Sequence, residues 1–192
     1  MPNPNAPFGL RPVGTLGNNL YSGKVQKFFV PSTDAASIGI GDPVALAGSG
    51  DADGVPTAKR MTAGGVCVGV CVGAQPQFAN LNLPNYRPAS TDGYILVETD
   101  PNTIFDIQES SASTSAFIAA TQIGENGTLT LGTVDTTTGN GKTVLSTTSG
   151  TATTLDVQIL RLAPTVGNAI GQFAKWQVRL NLNQYKTGTT GV

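Results

Sequence analysis

The chain has 192 residues, of which 12% are charged, with a net charge of −1 and no histidine. So weak a charge offers neither the basic stripe that nucleic acid requires nor a polybasic patch for a membrane surface. Without histidine there is no Ser-His-Asp or Cys-His catalysis, and the commonest general base and metal ligand are missing.

The N-terminal stretch Met1-Pro2-Asn3-Pro4-Asn5-Ala6-Pro7-Phe8-Gly9-Leu10-Arg11-Pro12 cannot fold by itself. Each proline fixes φ, removes a donor and biases the residue before it away from helix. It lacks the basic start and unbroken apolar run of a signal peptide. Pro7, Phe8, Leu10, Arg11 and Pro12 read as anchors of an extended arm meant to be buried against a neighbour. Residues 13–22 form a Gly/Asn-rich connection.

Beyond it, short apolar runs alternate with turn signals, the pattern of an all-β fold. Strands are predicted over 24–30, 43–47, 66–72, 94–98, 104–108, 128–131, 143–146, 154–162 and 174–182. The last is the clearest, because Ala174, Trp176, Val178, Leu180 and Leu182 alternate with polar residues and so share one buried face. Asp92-Gly93, Asn126-Gly127 and Asn140-Gly141 mark tight turns. Only 115–123 looks helical, with Ser113 or Thr114 as cap and Gly124 as stop. The Thr/Ser/Gly-rich stretch 133–154 reads as an exposed hairpin, since Val144 and Leu145 need cover. No run approaches the roughly 20 apolar residues of a transmembrane helix.

Candidate chemistry is thin. Cys67 and Cys71 lie about 13 Å apart on a strand, too far for a disulfide, and read as small buried thiols facing opposite Val66, Val68, Val70 and Val72. Gly141-Lys142-Thr143 lacks the first glycine of a phosphate loop, Thr136 standing there instead. Asp51-Ala52-Asp53-Gly54 is an incomplete calcium loop and reads as a turn. Asn126-Gly127-Thr128 also reads as a turn, not a glycosylation site. Glu98, Asp100 and Asp106 flank a predicted hairpin connection and read as solvated turn charges. Trp176 reads as a core or interface residue. No catalytic, cofactor or metal site is expected.

The segments Asn5-Ala6-Pro7-Phe8-Gly9-Leu10-Arg11-Pro12, Gly41-Asp42-Pro43-Val44, Asp53-Gly54-Val55-Pro56, Tyr86-Arg87-Pro88-Ala89, Ile104-Phe105-Asp106-Ile107-Gln108 and Ala174-Lys175-Trp176, in that order, resemble the head decoration, or cement, proteins of tailed bacteriophages. The resemblance runs over nearly the whole chain except 133–154. It implies a non-enzymatic virion protein, made in the host cytoplasm and standing on the outer capsid surface. Its partners would be the major capsid protein and itself, as a homotrimer in preference to a dimer. The expected architecture is a jelly-roll-like or barrel-like β-sandwich body (23–186) with an extended N-terminal arm and connection (1–22) and a polar tail (187–192). The alternative is a carbohydrate- or receptor-binding β module of a virion or cell surface. A weaker one is a histidine-free hydrolase using Glu98 and Asp106.

Overall fold

A computed structural model describes residues 3–78, 81–82, 85–110 and 116–186. The body is all-β, with eleven strands in two sheets among these residues. The strands are β1 (Arg11–Thr15), β2 (Gln26–Val30), β3 (Pro43–Gly50), β4 (Pro56–Arg60), β5 (Gly69–Ala74) and β6 (Gly93–Glu98). They continue with β7 (Thr103–Gln108), β8 (Asn126–Thr130), β9 (Val144–Gly150), β10 (Val157–Leu162) and β11 (Lys175–Leu180). Strands β2-β4-β3-β5-β6 close into a barrel, and the other six form an open sheet ordered β1-β7-β11-β10-β8-β9.

Each sheet has its own core. Phe28, Val30, Ile38, Val44, Val68, Cys71, Ile95 and Val97 fill the barrel. Leu10, Phe105, Ile107, Leu129, Leu145, Val157, Ile159, Trp176 and Val178 lie against the open sheet. Cys67 and Val70 join this second cluster, so the β5 segment is buried on both sides and packs the barrel wall onto the sheet. The predicted split of cysteines from valines is therefore wrong. Cys67 sides with Val70, and Cys71 with Val68. Simple alternation fails because residues before Gly69 lie outside the strand and the register shifts between Cys71 and Gly73.

Each of the nine predicted segments overlaps a strand, and two strands escaped prediction. β4 carries only Thr57 and Ala58 as buried residues and has no apolar alternation. β1 begins inside the predicted arm, where the prolines obscured it. It is an edge strand, where proline is tolerated, and a register shift follows Pro12.

The predicted helix 115–123 is not formed over its described residues, where a 3₁₀ turn at Ala120–Gln122 is the sole helical element. So short a segment nucleates poorly, and the Ile118 amide donates to Glu109 instead. Residues 113–115 lie outside the described residues, as does the predicted tail 187–192.

Candidate functional site

The N-terminal segment lies on its own body. Leu10 is 1% exposed, inside the sheet core, and its amide donates to the Gly41 carbonyl. Gly9 and Gly41 both have positive φ and touch backbone to backbone, so a Cβ on either would clash. Upstream, Asn3 donates to the carbonyls of Ala169 and Gln172, and the Ala6 amide donates to the Gln108 side chain. Phe8 is half-buried, with the Arg11 guanidinium 4.9 Å and the Lys175 ammonium 6.0 Å from its ring centre. Together Phe8, Leu10, Arg11 and Pro12 line a hollow of about 280 Å³ with Tyr21 and Ile40. Of the five anchors, Leu10 is thus spent on the chain's own core, while Arg11 is exposed and Pro7, Phe8 and Pro12 are half-buried.

Asp42 ties the barrel to the open sheet. It is fully buried, and its carboxylate accepts from the Gly39 amide, Arg60 and the Thr143 hydroxyl. Arg60 also reaches the Gly132 carbonyl. Burial holds the Asp42 pKa above its ordinary value, against the lowering pull of Arg60. Gly141 has no side chain because a Cβ there would strike the Asp42 carboxylate. The tripeptide that suggested a phosphate loop is therefore a seat for a carboxylate, which excludes phosphate.

The stretch 133–154 is not a free hairpin. Its first part curls around Asp135, which accepts from the Thr137 and Thr138 amides and pairs with Lys142 at 3.1 Å. The curl docks on Ile40 through Gly139 and Gly141, and Leu145 in β9 is fully buried.

The acidic candidates do not converge. Glu98 accepts from the Asp100 amide and the Thr103 hydroxyl, closing the β6–β7 turn. Asp106 instead lies in β7, where it accepts from Gln177. Asp51 holds its own turn through the Asp53 and Val55 amides and accepts from the Tyr94 hydroxyl. Among the described residues, no group of three or more Cys, Asp or Glu is arranged to hold a metal. Burial pushes both cysteine thiols up to about 12, so neither is poised as a nucleophile. Trp176 is fully buried and donates its indole N–H to Glu109.

What remains is surface. The β1–β2 loop exposes Leu16 and Leu20, and the β10–β11 loop exposes Val166 and Ile170. The pairings of β1 with β7, β7 with β11 and β11 with β10 place these loops at opposite ends of the open sheet. A third exposed set, Phe78 and Leu81, follows β5, and Phe78 lines an aromatic groove on the barrel. Sequence reasoning missed these tips because isolated apolar residues in loops carry no periodicity. Compared with family models, curated proteins and solved structures, the chain matches none of them.

Proposed function

We propose that the chain is a structural decoration protein that binds the outside of an assembled phage head as a homo-oligomer, a trimer in preference to a dimer, and bridges neighbouring major capsid subunits. The resemblance of its sequence to cement proteins motivates this reading. The observation that carries it is the pair of apolar tips at opposite ends of the open sheet, Leu16/Leu20 and Val166/Ile170. A bridge needs an adhesive surface on either side of a rigid body. Burying one such side chain contributes about 1.5–3 kcal/mol, so several tips on one oligomer give a firm hold through effective concentration. The arm's part is narrower than the sequence suggested. Leu10 fastens the arm to its own body, which leaves Phe8 and Arg11 as its outward-facing members.

The test is occupancy on heads assembled from the major capsid protein without the decoration protein. Leu16→Ser with Leu20→Ser, and separately Val166→Ser with Ile170→Ser, should each reduce occupancy while circular dichroism and Tm stay unchanged. Failure of the unaltered chain to bind heads, or full occupancy by both double variants, would overturn the reading.

A further inference from the structure

The barrel carries a groove that the bridging role does not use. It encloses about 490 Å³, within the usual range for small-molecule sites. Aromatic rings and two prolines line it. Phe28 and Val30 point into the barrel, so Phe29 between them faces outward, 5.3 Å from the Tyr94 ring and tilted 54° to it. Tyr86 and Phe78 complete the aromatic lining, and Phe78 is 77% exposed. A second hollow of about 320 Å³ shares Gln75, Pro76 and Tyr94 with the first, and Lys27 lines it with its ammonium 3.8 Å from the Tyr94 ring centre.

The wall is pre-organised. Arg87 is buried, and its guanidinium donates to the carbonyls of Thr91, Ala36 and Pro31 at 2.6–2.8 Å. Those three bonds lock the 87–91 segment against the 31–36 loop. Asp92 adds a fourth tie, one carboxylate oxygen accepting from the Ser32 amide at 2.6 Å.

Polar groups converge on the same space. Asp92, Gln75, Tyr86 and Gln77 all line it; the second Asp92 oxygen, the Gln75 side-chain amide and the Tyr86 hydroxyl have no partner among the described residues, and the Gln77 side-chain amide reaches only the Tyr86 carbonyl at 3.5 Å. A carboxylate accepts only, an amide does both, and a phenol does both. A proline-rich segment offers carbonyl acceptors with few donors, so it leaves Asp92 unanswered. An extended peptide has no barrel edge to pair with, because the barrel is closed. Nucleic acid is opposed by the Asp92 carboxylate and by the near-neutral chain. A sugar ring meets every requirement. Its C–H face covers an aromatic ring, and its vicinal hydroxyls both donate and accept.

We propose that this groove binds a neutral oligosaccharide, with sugar rings stacked on Phe78 and Tyr86 and hydroxyls bonded to Gln75, Gln77 and Asp92. This gives the particle surface a glycan-reading site independent of its attachment to the head.

The full chain should be screened on an array of neutral and acidic glycans. Hits, together with maltotriose, cellotriose and a decaproline peptide, should then be titrated while side-chain amide signals are followed by NMR. A neutral glycan should shift the Gln75 and Gln77 amides at millimolar concentration or below. Phe78→Ala combined with Gln75→Ala should weaken it at least tenfold, or about 1.4 kcal/mol, with Tm unchanged. Asp92→Asn keeps an oxygen for Ser32 and should weaken binding by a smaller factor. No shift with any neutral glycan, a response to acidic glycans or decaproline alone, or full affinity in the double variant would overturn the proposal.

Discussion

The barrel and the open sheet solve the same problem differently. The barrel has no edges, because β2 pairs with β6 on one side and with β4 on the other. The open sheet must end somewhere, and its two edges are β1 and β9. One edge comes from the proline-bearing N-terminal stretch, the other from the Thr/Ser/Gly-rich stretch. An exposed edge can template aggregation, and Pro12 in β1 blunts one of them. Both edge segments are then held by contacts from outside their strand ladders, Leu10 to Gly41 and the Asp135 curl to Ile40. Gly41 and Asp42 sit where all of these meet.

The comparison is most severely tested at Asp42. Asp42→Ala removes the acceptor of three bonds and leaves the Arg60 charge without its carboxylate. Breaking such a buried pair costs about 3–5 kcal/mol. Urea unfolding should show that loss. If barrel and sheet depend on this junction, the transition should also become biphasic when followed by Trp176, which reports the sheet core, and by far-ultraviolet dichroism.

Leu10→Ala should cost about 2–5 kcal/mol, since the side chain is fully buried in the sheet core. Removing the residues before Phe8 should cost far less. The hydrogen bonds lost are worth about 0.5–1.5 kcal/mol each, and the backbone entropy recovered is about 1–2 kcal/mol per residue. Equal losses from the two changes would mean that Leu10 does not anchor the edge.

A pH dependence separates the regions further. Burial raises the pKa of Asp42 at the junction and of Glu109 and Asp156 in the open sheet. The folded chain therefore keeps protons that the unfolded chain has already released. Stability falls as pH climbs from the ordinary values of 3.8 and 4.5 through the raised folded ones. Lowering the pH from neutral towards the ordinary carboxylate range should thus raise Tm rather than lower it. A steady decrease over that interval would contradict the burial of these groups.

The smallest expected difference is between the two thiols. Cys67 belongs to the sheet core and Cys71 to the barrel. In the variants Cys67→Ala and Cys71→Ala, the remaining thiol should resist labelling in the native state. The two labelling rates should match if both cores open together, and faster labelling of Cys67 would show the open sheet yielding first.

Much of the fold was legible because period-two burial leaves its mark on the chain. β11 could be read residue by residue, as Trp176 and Val178 sit where alternation puts them. β1 was not legible, because Pro12 signals an arm in isolation and an edge strand only once β7 lies beside it. β5 misled for a related reason, since a strand buried on both faces has no polar side to fix its phase. The groove was beyond reach altogether. Phe29, Phe78, Tyr86 and Tyr94 are spread over 66 positions and become one surface only when β2, β6 and the loop between β5 and β6 converge.

By itself, then, the sequence determined an all-β body, the positions of most strands, and a chain without histidine chemistry. These are local properties, set by side-chain period and by residue type. Tertiary structure decided which chain the N-terminal segment grips, what Asp42 and Gly141 are for, and which aromatics share a surface. Each of those depends on contacts between residues distant in sequence, whose free energy exists only after the chain has closed the loops between them.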